Sequence, residues 1–204
     1  RDSLGLVAAT GIVFALLLDL HLGRFEGGFL LALFALYFVV LFRTSRGLER
    51  RERPTTELNG LDGVRTLGGL AGVLAGAHLL VLAASDVARV VGISEWVIGV
   101  TVVAAGTSMP ELATSFAAAR RGHTGLSAGN LVGSCLFNCL GVLGLATVLR
   151  PLSVVPTAPW TTLWLLGITA IATVFFWSNH VLSRVEGGVL VVLSAANWIV
   201  DFWG

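Results

Sequence analysis

Lysine is absent from this sequence: the 13 basic side chains are all arginine, set against 12 Asp and Glu in 204 residues. Charged residues amount to 12% of the chain, where an average soluble domain carries about a quarter. That is too little to solvate the surface of a water-soluble protein of this length, and a net charge of +1 offers no field for nucleic acid. Cysteine is scarce too, which excludes a disulfide scaffold. Cys135 and Cys139 lie four apart within one apolar run, a spacing that helix geometry does not bridge, so both are expected as buried core thiols, with a soft-metal site as the alternative. No signal peptide is recognisable. The first residue is Arg1 rather than Met, and Leu4 to Leu20 lacks a basic leader followed by a small-residue cleavage site, so the start is expected to be a cut.

What fills the chain instead is apolar sequence, 55% hydrophobic with a mean hydropathy of +0.87. Near-continuous apolar runs recur at about 4–20, 27–42, 66–84, 96–119, 126–148, 160–178 and 186–203, most of them near the roughly 20 residues that a helix needs to cross a bilayer. The expected fold class is an all-α membrane protein, a helical bundle of about seven spans. A seven-helix receptor has the same count, but here the polar residues gather in two helices with Gly and Pro around them, as in transport sites.

Arginine placement sets the orientation. With the loop at 43–65 cytoplasmic, Arg1, Arg43, Arg46, Arg50, Arg51, Arg53, Arg65, Arg120, Arg121 and Arg184 are inside, leaving Arg24, Arg89 and Arg150 outside. This predicts an integral membrane protein with the 43–65 loop cytoplasmic and its C-terminus, Gly204, outside; the membrane expected is a prokaryotic cell membrane. Glu49 and Glu52 dilute the basic linker, so a topology-setting role is expected of it rather than lipid binding.

Residues 23–42, GRFEGGFLLALFALYFVVLF, match 183–202, SRVEGGVLVVLSAANWIVDF, at nine of twenty positions with a constant offset of 160. Two apolar helices match in Leu and Val by composition alone, but a shared R-x-E-G-G ahead of each helix points to an internal repeat. Under the arginine count the two copies have opposite orientation, the inverted-repeat arrangement of secondary transporters. The expected organisation is 1–42 as the last two spans of a first repeat, 43–65 as the linker, and 66–204 as a second, five-span repeat. About three spans are then expected upstream.

Two helices carry the chemistry. In 96–119, Thr107 and Ser115 lie four residues either side of Glu111 and Ser108 lies three before it, so all can share one face. Pro110 lacks an N–H, which leaves the Gly106 carbonyl without its helical donor, and opened backbone at membrane depth is tolerated only where it is buried in protein or lines a polar cavity. In the next run Asn130, Ser134 and Asn138 recur every four residues beside the small surface of Gly129 and Gly133. A proline bend or a GxxxG surface alone is ordinary packing. Glu111 changes that reading, because an acid at mid-membrane costs about 2.5–3.5 kcal/mol on the mildest scale and neither helix core holds a Lys or Arg to neutralise it. Ser134 and Asn138 lie deeper than Asn130, which divides evenly between packing and ligation.

The stretch GISEWVIGVTVVAAGTSMPELATSFAAARRG followed by GNLVGSCLFN resembles the α-repeat of the cation/calcium antiporter superfamily, which includes the sodium/calcium exchangers, over about residues 83–145. The resemblance implies a ten-helix inverted-repeat fold and a mid-membrane cation site. In that site Glu111 is the central acid, Thr107 and Ser108 give oxygens, Ser134 and Asn138 complete this half, and backbone carbonyls near Ala104 and Thr107 take part. Cys135 stands where the family pattern has Asn, and Cys139 where an aliphatic residue is usual. The family has two such repeats, whereas this chain contains one.

Ca²⁺ takes about 6–8 oxygen ligands, and one hairpin with one carboxylate supplies about half of them. Asp19, Asp86 and Asp201 lie near span ends, away from the midplane. The function expected is that of a secondary antiporter exchanging Ca²⁺ for Na⁺ or H⁺, here as a C-terminal portion without a permanently bound cofactor. Its partners are membrane lipid, the transported ions, and either the missing first-repeat spans or a second copy of the chain. The alternatives are a half-size exchanger working as an antiparallel homodimer, or a non-transporting membrane partner. An intramembrane enzyme built on Ser134 or Cys135 with His78 or His123 as base is disfavoured, because no motif places the base.

Overall fold

The computed structural model describes residues 2–48, 60–93, 95–179 and 183–203. Arg1, the middle of the linker with Arg50, Arg51 and Arg53, and Gly204 lie outside the described residues. The protein is an all-α membrane protein, and its helices fall on the apolar runs: α1 (Asp2–Leu16), α2 (Arg24–Leu48), α3 (Gly60–Val90), a broken segment made of α4 (Glu95–Ile98), α5 (Ala104–Thr107) and α6 (Met109–Arg120), then α7 (Thr124–Leu136), α8 (Leu143–Leu149), α9 (Ala158–Asn179) and α10 (Arg184–Trp203). Among the described residues four stretches are long and apolar enough to cross a membrane: Arg24–Thr44, Leu61–Val90, Thr124–Leu149 and Ala158–Trp177.

Two compact units make up the chain, residues 1–50 with 132–204 and residues 51–131. The first is cored by one cluster of Ala9, Val13, Leu17, Leu22, Leu30, Leu136 and Leu140. In it α1 packs on α9 and α2 packs on α8. The second contact is close because both helices offer glycine: a Cβ on Gly27 would sit 2.8 Å from the Gly144 carbonyl, and one on Gly144 would sit 3.0 Å from the Gly27 carbonyl. Such small-residue crossings let backbones approach where lipid offers no hydrophobic drive for association. Farther along, Phe34 meets Phe137 edge-on at 5.6 Å.

The apolar run expected at 4–20 ends early as a helix. After Leu16 the backbone turns, Leu20 takes a left-handed φ of +62°, and Asp19 Oδ1 accepts the His21 N–H at 3.1 Å. That turn starts β1 (His21–Leu22), which pairs antiparallel with β2 (Leu152–Ser153), His21 opposite Ser153 and Leu22 opposite Leu152.

The repeated R-x-E-G-G acquires a physical role. The Gly23 N–H donates to the Glu26 carboxylate at the start of α2, and the Ser183 N–H donates to Glu186 Oε2 at 2.7 Å at the start of α10. Ser183 Oγ in turn accepts the Glu186 N–H at 3.2 Å, which completes a reciprocal capping box. Each glutamate satisfies an otherwise orphaned donor at a helix start.

In the second unit α3 packs against α5, α6 and the turn before α5. Gly106 is the close-approach point, since a Cβ there would lie 2.0 Å from Val81 Cγ2.

Candidate functional site: a broken helix around Glu111

The run at 96–119 is expected as one helix opened near Gly106 and Pro110. It is instead interrupted twice. Residues Gly99–Val103 form a π turn, closed by the Ala104 N–H donating to the Gly99 carbonyl, and Ser108, with φ −89° and ψ −3°, separates α5 from α6. Pro110 therefore stands in the first turn of a new helix, where a missing N–H costs nothing, rather than in the interior of an old one. Glu111 lies in the same first turn, the end of a helix at which the backbone dipoles favour a negative charge.

Around this break the polar atoms are engaged in a definite pattern. The Ala104 carbonyl accepts Thr107 Oγ1 at 3.0 Å and the Ser108 N–H at 3.3 Å. The Ser108 carbonyl accepts the Leu112 N–H at 3.0 Å. Thr107 and Ser108 are themselves exposed, while Ser115 is buried. Asn130 proves to be a strut: its amide nitrogen donates to Ser115 Oγ at 2.9 Å, to Thr114 Oγ1 at 3.1 Å and to the Glu111 carbonyl at 3.2 Å. Thr114, which the sequence reading passed over, adds its own hydroxyl to the Pro110 and Glu111 carbonyls at 2.9 and 3.0 Å. Its spacing of three from Glu111 was the available signal.

Two of these bonds, from Asn130 and Thr114, hold the backbone carbonyl of residue 111. None serves its charge: among the described residues Glu111 Oε2 is the buried side-chain oxygen or nitrogen left with no hydrogen-bond partner. A buried polar atom without a partner costs about 1–3 kcal/mol, more when charged, which makes this oxygen a candidate ligand for a cation. Among the described residues no three His, Cys, Asp or Glu side chains gather, so a cation here draws its remaining ligands from hydroxyls, amides, carbonyls or water.

Thr107, Ser108, Ala104 and Glu111 belong to the unit of residues 51–131, together with Asn130. Ser134 and Asn138 belong to the other unit, in which Ser134 is half-buried and Asn138 exposed. Asn138 lies in a second π turn, Phe137–Val142, whose exit is marked by the Leu143 N–H donating to the Asn138 carbonyl. Wide turns of this kind concentrate at functional positions in helices, and each polar helix has one. Both thiols are free, as expected, but the expectation that both are buried is corrected: Cys139 packs against the apolar core of its unit, whereas Cys135 is exposed. Four residues apart around the start of a π turn, the two do not share a packed face. Of the span-end acids, Asp86 pairs with Arg89 at 3.0 Å on the surface of α3.

The family model described as sodium/calcium exchanger protein matches residues 64–199. The sodium/calcium exchanger MaX1 of Methanosarcina acetivorans is 36% identical over 134 residues, 65% of this chain and 38% of the relative. The inner membrane protein YrbG of Escherichia coli is 33% identical over 155 residues, 71% of this chain and 48% of the relative. The chain thus spans about half the length, or less, of the curated relatives it matches. Among solved structures, the sodium-calcium exchanger NCX_Mj, soaked with zero Na⁺ and Ca²⁺, superposes with a TM-score of 0.73 at 27% identity, covering 98% of this chain and 63% of that one. The broken helix with its unpaired acid, the helical fold and these matches agree: the chain belongs to the sodium/calcium exchanger family.

Proposed function

We propose that this chain is the second-repeat portion of a secondary antiporter that moves Ca²⁺ against Na⁺ or H⁺, with Glu111 as the charged ligand of the ion. The observation that carries the reading is the buried, unpartnered Glu111 Oε2 beside the break at Ser108. Thr107 and Ser108 are the neighbouring hydroxyl ligands, Ser134 and Asn138 the contribution of the second helix, and the Ala104 and Thr107 carbonyls the backbone oxygens. The Ala104 carbonyl already accepts two hydrogen bonds, so it shares its oxygen with an ion rather than offering it free. Exchange follows from competition: Na⁺ takes the same hard oxygens, and a proton takes the same carboxylate, so each empties the site for the other side of the membrane. One acid leaves a divalent ion half-neutralised, and the remaining charge and ligands come from a second hairpin of opposite orientation.

The test uses the natural gene product carrying this sequence, reconstituted in vesicles. Glu111→Gln abolishes Ca²⁺ uptake while the folded protein persists in detergent, and unchanged uptake would sink the assignment. Imposing a Na⁺ gradient and a pH gradient separately identifies the counter-ion. Residues 1–204 alone carry no gradient-driven Ca²⁺ flux. Flux from a cross-linkable dimer of them would favour the half-size homodimer.

A further inference from the structure

Cys135 and Cys139 are the two cysteines of the chain, and the proposed transport uses neither. Both lie in the unit of residues 1–50 and 132–204, Cys135 in the last turn of α7 and Cys139 in the π turn Phe137–Val142 that follows it. Both thiols are free, with Cys135 exposed and Cys139 half-buried. Although only Cys139 is packed, residues four apart on a helix are neighbours, with Cβ atoms about 5–6 Å apart. A disulfide needs about 3.5–4.5 Å between its Cβ atoms, so the pair stands too wide for an S–S bond. It suits an ion seated between the sulfurs, because two metal–thiolate bonds of about 2.3 Å then replace one S–S bond of about 2.05 Å.

The surroundings select the ion. Thiolates favour soft cations, and among the described residues no three His, Cys, Asp or Glu side chains gather to build the four-ligand shell of a zinc site. Cys139 packs against the apolar cluster that contains Leu136 and Leu140, where net charge is costly. Two thiolates around a divalent ion form a neutral complex, whereas a monovalent ion leaves a negative charge there.

We propose that Cys135 and Cys139 form a two-sulfur site for a soft divalent cation that accepts two ligands in line, of which Hg²⁺ is the type. Binding exchanges two S–H bonds for two S–metal bonds, with both protons released to water and no change of oxidation state. A bound ion ties the end of α7 to the turn that carries Asn138. The family pattern that this stretch resembles has Asn at 135 and an aliphatic residue at 139, so the site is a feature of this chain and not of the exchange reaction.

The experiment uses the natural gene product in detergent without Ca²⁺, with any other cysteine changed to serine and Hg²⁺ as the probe. One equivalent of Hg²⁺ withdraws both thiols from a chromogenic thiol reagent and cross-links no two molecules. Cys135→Ser and Cys139→Ser each keep one sulfur, and each gives up Hg²⁺ to a competing monothiol at a concentration about 10²–10⁴-fold lower than the native pair requires, the advantage of a second tethered ligand. A spacing control separates a site from two independent thiols. Cys139→Ala combined with Val142→Cys, at a position 46% exposed, keeps two thiols but sets them seven residues apart, roughly 10 Å along the helix, and behaves like the single variants. A need for two equivalents to withdraw both thiols, or a mercury-bridged dimer, would overturn the proposal. So would a spacing control that holds Hg²⁺ as tightly as the native pair. Neither readout involves transport, so a failed Glu111 assignment and a failed thiol site are told apart.

Discussion

Replacing Gly106 by alanine tests how the broken helix is held against α3. A Cβ at 106 would lie 2.0 Å from Val81 Cγ2, 3.5 Å from Val81 Cβ and 3.8 Å from the Ala77 carbonyl. Carbon atoms pack at about 3.5–4.0 Å, so the Val81 methyl group has to retreat by roughly 1.5 Å. Valine in a helix is held in one side-chain rotamer, and turning it off that rotamer costs about 0.5–1.5 kcal/mol before any backbone shift. Overpacking of this kind costs about 1–3 kcal/mol in all. Gly76 on α3, with nothing within 4 Å of its built Cβ, is the control: alanine there gains about 1 kcal/mol of helix propensity. The expectation is that Gly106→Ala is less stable than Gly76→Ala by at least 1–3 kcal/mol, the overpacking term alone. Val81→Ala removes the obstructing methyl and leaves only ordinary contacts, so the double variant recovers stability. Unfolding of the purified protein in detergent, followed by fluorescence of its six tryptophans, measures the cycle. A coupling energy below about 0.5 kcal/mol would refute the reasoning.

Asn130→Asp replaces the donor to three oxygens by a group that can only accept, and is expected to cost about 1–3 kcal/mol, read as a lower unfolding temperature; an unchanged one means that Asn130 is no strut. The arginine bias predicts that a cysteine introduced at Thr55 is shielded from an impermeant thiol reagent in intact cells and that one near Gly204 is labelled; the reverse labelling overturns the inverted-repeat reading with it.

Much of this is legible in the sequence alone, and for physical reasons. A bilayer enforces long apolar runs, so the helices were read directly, and an acid among such residues stood out because its cost there is high. The position of the break was less legible. Gly106 and Pro110 announced it, but proline is equally at home in the first turn of a new helix, and only the backbone of Ser108 distinguishes that from a kink. The π turns at Gly99–Val103 and Phe137–Val142 had no sequence signal, since no residue type specifies one extra residue per turn. The β1–β2 ladder was missed because two residues per strand carry no alternation. Glu26 and Glu186 were visible as a repeated motif, yet their use as helix caps depends on where each helix starts.

The unit formed by residues 1–50 and 132–204 is discontinuous along the chain, with the other unit emerging from the ribosome between its two parts. α2 ends at Leu48 and α8 at Leu149, so 149 − 48 = 101 residues are made after α2 before its glycine face can be covered. At about 5–20 residues per second that is an interval of roughly 5–20 s. During it Gly27 and Leu30 face lipid or the insertion machinery, and the strand residues His21 and Leu22 wait for Leu152 and Ser153 to pair with them. The order of synthesis therefore makes α2 a waiting half-interface, and its helix start, closed locally by Glu26 and independent of any later residue, is the part of it that is complete from the outset.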